Sequence, residues 1–238
     1  MIINGTQIAN EILSGLRGSY TLGVVMGTDA ASDSFVRMKE RAAAKAGVQI
    51  VRYAPEDFDK ALACDGVLVQ LPLEGVDNLI AQLPPEKDVD ALGPRPLVRA
   101  PVAEAIGEVL TRAGIDPTNK RAVVVGAGKL VGQPAAKLLA DLGADVSVVT
   151  LEQGSLSELK DADIVVLGAG SPGIVKPDML KPGVVLIDAG TSEAAGKLAG
   201  DADPACAEVA SVFTPVPGGI GPIAVAMLFK NLFSLAQK

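Results

Sequence analysis

The 238-residue chain contains no histidine. That absence excludes Ser-His-Asp and Cys-His nucleophile systems and every histidine-ligated metal site. Proton transfer is left to lysine, carboxylates, tyrosine or cysteine, and a reaction that needs no strong side-chain base is favoured. Cysteine is nearly absent too. Cys64 and Cys206 stand alone and far apart, so neither a disulfide framework nor a metal site is expected; both read as small core residues in a reducing cytoplasm. No apolar run reaches the ~18 residues of a membrane span. The opening MIINGTQIANEIL lacks a basic segment before an apolar one, so no signal peptide is expected. Basic residues are in deficit: 21 Lys and Arg face 28 Asp and Glu, a formal charge of −7. This argues against nucleic acid or an anionic membrane as partner.

What is present suits an α/β enzyme. The chain is 49% hydrophobic, enough for a sizeable core, and its abundance of Gly, Ala and Val suits helices packed closely on a mostly parallel sheet. Strand-like runs at Thr21–Met26, Val48–Tyr53 and Gly66–Leu71 alternate with helical patterns near Thr6–Arg17, Ser32–Ala46 and Glu56–Ala63. The proline-rich stretch over residues 83–101 reads as a boundary loop, followed by a helix from about Val102 to Ala113. Strands at Asp163–Leu167, Val184–Asp188 and Ala210–Phe213 and a helix near Ile223–Ala236 complete the chain. Two lobes with a cleft between them are expected: residues 1–114 as an α/β catalytic domain, and residues 115–221 as a Rossmann-type dinucleotide-binding domain.

The second lobe opens with RAVVVGAGKLVGQPAAKLLADLGADVSVVT, a strand, glycine turn, helix and strand within ~30 residues. Gly126, Ala127, Gly128 and Gly132 permit a tight turn and close backbone approach to a pyrophosphate, which the next helix would face with free N–H groups and its positive dipole end. The second strand should end near Thr150 or Leu151, so that Glu152 would face the adenosine ribose. A carboxylate there repels a 2′-phosphate, which favours NAD over NADP; the alternative is a solvated loop acid.

In the helix around ASDSFVRMKERAAAKAG, Phe35, Val36, Met38, Ala42, Ala43 and Ala46 form an apolar arc with Lys39 in its middle. Such a lysine either snorkels to an edge or enters a cleft, where desolvation lowers its pKa. Gln70 ends the run GVLVQLP and could bond Lys39 or a substrate, or be satisfied by backbone. Asp88 and Asp90 add carboxylates in the boundary loop. The TPVPGGIGP stretch, with Pro217, Gly218, Gly219 and Ile220, is stiff yet allows close approach to a planar ligand.

Together these pieces resemble the methylenetetrahydrofolate dehydrogenase/cyclohydrolase family. The segments ASDSFVRMK, DGVLVQLPL, PEKDVD, GAGKLVGQP, VVLIDAG and TPVPGGIGP match family segments in order. The resemblance implies oxidation of 5,10-methylenetetrahydrofolate to the methenyl compound with NAD or NADP, with or without hydrolysis to 10-formyltetrahydrofolate. It gives Lys39 the central place in hydrolysis, sets Gln70 against that lysine and lets Asp90 bond the pterin. Phe35 and the Pro217–Ile220 loop would contact the folate. The cofactor would meet Gly126, Ala127, Gly128, Leu130, Val131, Gly132, Thr150, Glu152, Gly168, Ala169, Gly170 and Thr191. The resemblance also implies a cytoplasmic homodimer whose last helix, residues 222–238, returns to the first lobe.

Four departures stand against the family pattern. Phe35 replaces a tyrosine, Ala100-Pro101-Val102-Ala103 replaces Pro-Cys-Thr-Pro, GPIA replaces GPMT at residues 221–224, and the segment after Asp90 is shorter by about nine residues. They leave two alternatives beside the folate dehydrogenase: a dehydrogenase acting on a different reduced pterin carrier, and a non-catalytic nucleotide-binding homologue.

Overall fold

The computed structural model describes residues 1–28, 30–152, 156–194 and 197–237. The chain forms two compact units: residues 1–8 with 102–224, and residues 9–101 with 225–238. The division expected from the sequence puts residues 1–8, 102–114 and 222–224 in the other domain. Residues 1–3 sit with the 102–224 unit because they run beside its sheet: Ile3 N–H donates to the Phe213 carbonyl at 2.9 Å, and Phe213 N–H donates to the Met1 carbonyl at 2.9 Å.

The unit of residues 9–101 and 225–238 is built on three parallel strands, β1 (Tyr20–Val25), β2 (Val48–Tyr53) and β3 (Gly66–Val69), in the order β2-β1-β3. Both faces are covered, and the period of two along each strand decides which residue goes where. Leu22, Val24 and Leu68 join one core with helices α1 (Gly5–Gly15), α2 (Ala30–Ala46) and α7 (Ile220–Ala236). Val25, Val67 and Val69 join a second core with Phe58 and Ala61 of α3 (Phe58–Ala61). β3 and the carboxyl half of β1 are buried on both sides and have no polar alternation, hence their apolar runs in the sequence. Helix α4 (Val76–Gln82) follows β3 and has no counterpart in the sequence reading. It is only seven residues long and starts from a left-handed Gly75 with no side-chain cap, so it carries neither of the usual signals.

Helix α5 (Pro101–Arg112) follows the irregular stretch 83–100. Proline suits the first helical position, where no N–H is needed. The remaining unit carries a five-stranded parallel sheet in the order β10-β7-β6-β4-β5. Its strands are β4 (Arg121–Val125), β5 (Asp145–Val149), β6 (Ile164–Leu167), β7 (Val185–Asp188) and β10 (Val212–Thr214). Helix α6 (Gly132–Asp141) connects β4 to β5. A short antiparallel pair, β8 (Ser192–Ala194) with β9 (Lys197–Ala199), lies between β7 and β10 in sequence. Its three-residue strands fall below the length at which alternation can be read. Because β4 pairs with β5 on one side and β6 on the other, the winding reverses at β4. In open parallel sheets, ligands bind beyond the strands' carboxyl ends at such a reversal.

Candidate functional site

In the three-stranded unit the chemistry gathers at the carboxyl end of β3. On α2, Val36, Ala43 and Ala46 are buried, which sets Lys39, one turn from Val36 and Ala43, on the inward stripe. Met38, expected on that stripe, is 39% exposed, because it falls on the opposite side of the helix. The side chain of Phe35 lies outside the described residues. Gln70 follows β3 and is held there by its N–H, which donates to the Val25 carbonyl at 2.8 Å. Lys39 Nζ donates to Gln70 Oε1 at 2.5 Å, while Gln70 Nε2 donates to the Leu71 carbonyl at 2.7 Å. The Leu71 carbonyl can only accept, so it fixes which end of the amide is nitrogen and turns the oxygen toward the lysine. Gln70 is therefore satisfied by backbone and by Lys39 at once.

Burial lowers the Lys39 pKa from the ordinary lysine range, and the negative charge of Asp90 partly offsets this. Asp90 is pushed the other way, up to about 6, first by burial, with Lys39 opposing and Asp88 reinforcing. Asp90 keeps a rim of solvent contact, yet protein surrounds it densely enough for desolvation to dominate. Burial thus brings both Lys39 and Asp90 nearer neutrality than in water, against the pull of their opposite charges, as suits proton transfer.

Asp88 and Asn231 hold this arrangement. Asp88 is buried and accepts from the Leu92 N–H at 3.2 Å and the Gly93 N–H at 2.7 Å. It is a turn acid, as its position in a loop suggests. Asn231 of α7 is also buried, and its Nδ2 donates to the Val89 carbonyl at 3.0 Å and the Arg99 carbonyl at 2.9 Å. It fastens the proline-rich stretch beside Asp90. Nothing local in the sequence marks it, since its partners are about 140 and 130 positions away.

In the five-stranded unit the turn after β4 is a close three-way packing. A Cβ on Gly126 would lie 2.5 Å from the Gly168 carbonyl oxygen. One on Gly132 would overlap the Gly126 carbonyl, and one on Gly168 would overlap Val131. The loops after β4 and β6 therefore approach this closely only because Gly126 and Gly168 carry no side chains. Gln133 Nε2 donates to the Ala127 carbonyl at 3.0 Å and ties the turn to α6. Nothing lies within 4 Å of the side-chain direction of Gly128, and Ala127, Gly128 and Leu130 are exposed. An open backbone before a helix N-terminus is the arrangement that accepts phosphate. At the end of β5, Thr150 Oγ1 is buried and has no hydrogen-bond partner among the described residues. A ligand hydroxyl would satisfy it. Glu152 is exposed, three residues past the end of β5. Gly170 and Thr191 are exposed, and Gly168 and Ala169 half-buried. These observations fit a dinucleotide across the end of the sheet.

The TPVPGGIGP loop belongs to the same unit. Gly219 N–H donates to the Pro215 carbonyl at 2.7 Å, and Gly5 N–H donates to the Gly218 carbonyl at 2.8 Å. A side chain on Gly5 would overlap the Gly219 carbonyl, so the N-terminal segment sets the shape of a loop more than 200 residues later.

The family of the chain follows from comparison with known proteins. A sequence model of the tetrahydrofolate dehydrogenase/cyclohydrolase NAD(P)-binding domain matches residues 100–238. The chain belongs to the tetrahydrofolate dehydrogenase/cyclohydrolase family. It is 36% identical to the bifunctional protein FolD of Staphylococcus aureus over 276 aligned residues, covering 100% of this chain and 96% of that one. The structure matches bifunctional FolD of Campylobacter jejuni with a TM-score of 0.91 and 27% identity, over 100% of this chain and 98% of the other. It matches the Trypanosoma brucei FolD, solved with NADP and an inhibitor, with a TM-score of 0.89 and 30% identity, over 100% and 97%.

Within this family, two of the departures have a structural setting. Pro101 and Ala103 lie in the first turn of α5, with Ala103 buried. Ile223 is fully buried in the first turn of α7, and Ala224 beside it is half-buried.

Proposed function

We propose that the chain oxidises 5,10-methylenetetrahydrofolate to 5,10-methenyltetrahydrofolate with a nicotinamide dinucleotide, and then hydrolyses that product to 10-formyltetrahydrofolate. The observation that carries the reading is the Lys39–Gln70 hydrogen bond beside a desolvated Asp90, in a chain of a family whose relatives are named as bifunctional. The bound dinucleotide would supply the hydride acceptor. Gly126, Gly128 and the N-terminus of α6 would hold its phosphates, and Thr150 its ribose. The folate nitrogens drive hydride release and leave a stabilised cation, so this step asks the protein for orientation more than for a base. The Pro217–Ile220 loop and Phe35 would supply part of that orientation.

Hydrolysis makes the stronger demand. Water adds to the methenyl carbon and loses one proton; the bond from that carbon to one folate nitrogen then breaks as the remaining hydroxyl proton passes to that nitrogen, leaving the formyl group on the other. Lys39 is suited to move that proton because burial lowers its pKa, and Gln70 Oε1 keeps its ammonium aimed. Asp90 would balance the charge and bond the pterin. Lys39→Met separates the two activities: hydride transfer should persist while methenyl hydrolysis falls to its spontaneous rate. Equal loss of both would assign Lys39 to positioning and count against the reading.

The preference for NAD rests on Glu152, an exposed carboxylate past β5, which would repel a 2′-phosphate. A kcat/KM for NADP equal to or above that for NAD would refute it. No described helix is long and apolar enough to cross a membrane. A small-molecule folate partner, a homodimer and a cytoplasmic location complete the reading, supported by the acidic charge and by the family.

A further inference from the structure

Two aspartates outside the sites named so far are among the most buried polar residues of the chain: Asp188 is 1% exposed and Asp201 is 0% exposed. Asp201 faces a run of backbone donors. Its Oδ2 accepts from the Ala169 N–H at 2.7 Å and the Gly170 N–H at 3.1 Å, and its Oδ1 accepts from the Ser171 N–H at 2.7 Å. Three successive N–H groups pointing at one carboxylate form an anion-binding concavity, filled here by the protein's own side chain. The segment bearing Asp201 is anchored in turn. Asp188, the last residue of β7, accepts from the Asp201 N–H at 3.3 Å and the Ala202 N–H at 2.8 Å. Gly173 N–H donates to the Gly200 carbonyl at 3.0 Å, and Val175 N–H donates to the Asp201 carbonyl at 3.1 Å. Two glycines make room: a Cβ on Gly190 would overlap the Asp201 carboxylate, and one on Gly200 would overlap that of Asp188.

The loop so gripped follows β6. Its first residue, Gly168, is the one whose carbonyl would obstruct a side chain on Gly126 and whose own side-chain position is taken by Val131. We infer that Asp201 is a positioning residue for the dinucleotide: its carboxylate holds residues 169–171 in the shape that faces the glycine turn before any ligand arrives. This rests on the nicotinamide reading given above. A neutral acceptor would not serve equally well. Hydrogen bonds to a carboxylate are about twice as strong as those to a neutral acceptor. An asparagine would also have to turn its NH2 toward at least one N–H donor.

The test compares the unaltered chain with Asp201→Asn and Asp201→Ala. NADH and NADPH binding are measured by titration, together with kcat and the separate KM values for dinucleotide and 5,10-methylenetetrahydrofolate. The expected result is a dinucleotide Kd and KM raised at least tenfold in Asp201→Asn and further in Asp201→Ala, with the folate KM within twofold of the unaltered chain. A merely structural role would weaken both ligands together or neither. Wild-type dinucleotide affinity in Asp201→Asn overturns the inference while leaving the nicotinamide reading intact. Failure of the unaltered chain to bind or use either dinucleotide overturns both. If the variants do not fold, amide exchange on the unaltered chain decides. Protection of residues 169–171 without ligand supports the inference, and protection that appears only on adding dinucleotide overturns it.

Discussion

Gly132→Ala tests the glycine packing that shapes the dinucleotide site. The added methyl would overlap the Gly126 carbonyl oxygen, lie 2.7 Å from its carbonyl carbon and 3.1 Å from the Ala127 Cα. Carbon atoms settle at about 3.5 Å or more, so α6 and the turn must separate by roughly 1 Å. Every obstructing atom is backbone, and no rotamer change can absorb the shift. Overpacking of this kind costs about 1–3 kcal/mol of stability, a Tm loss of several degrees in a chain of this size. The functional effect should exceed the structural one, because a displacement of about 1 Å costs on the order of 10²-fold in a reaction that depends on orientation. The assay follows nicotinamide reduction in Gly132→Ala at saturating folate, with the folate KM and the rate of methenyl hydrolysis measured beside it. Lys39, Gln70 and Asp90 lie in the other unit, so hydrolysis should stay near its wild-type rate while dinucleotide kcat/KM falls about 10²-fold. Wild-type dinucleotide kinetics in a folded Gly132→Ala would refute the claim that this contact shapes the site.

Three further outcomes are expected. Asn231→Leu leaves the buried Val89 carbonyl without its donor, at about 1–3 kcal/mol, releases the exposed Arg99 carbonyl to solvent at little cost, and should raise the folate KM through Asp90; unchanged thermal stability would contradict it. Gln70→Leu removes the acceptor of the Lys39 ammonium and should shift the pH profile of methenyl hydrolysis toward lower pH, since the charged lysine loses a partner; an unmoved profile would dissociate the two residues. Asp90 and Asp188 both have folded pKa values raised from 3.8 to about 6. The folded state then binds more protons than the unfolded chain between those values, and stability rises as pH falls from 7 toward 5. The bound is about 3 kcal/mol for each group. Below about pH 4 the lowered carboxylates Asp33, Asp65 and Asp163 reverse the trend. A Tm that falls steadily from pH 7 to 5, or a slope unchanged in Asp188→Asn, would contradict this.

The parts of the molecule legible in the sequence were those where a local pattern reports its own environment. Strands buried on both faces read as apolar runs, and Gly126, Gly128 and Gly132 announced a close turn because few other uses of glycine keep that spacing after a strand. Lys39 stood out because it interrupts an apolar stripe, and Gln70 because it ends an apolar strand. What escaped depends on partners distant in sequence. Gly5 shapes a loop beyond residue 214, Asn231 fastens residues 89 and 99, and Asp201 grips residues 169–171. Asp201 looks like any loop acid, and Asp188 like the end of a strand, until the fold turns their carboxylates inward onto backbone N–H groups. The division of the chain escaped for the same reason, since residues 1–3 join the sheet of the larger unit through backbone bonds that carry no side-chain signature.

The most direct test of the central claim is turnover of 5,10-methylenetetrahydrofolate by the purified chain with NAD and with NADP, read as reduced nicotinamide. Saturable reduction, with the higher kcat/KM for NAD, is the predicted result. No reduced nicotinamide with either dinucleotide, from a folded chain, would contradict the account.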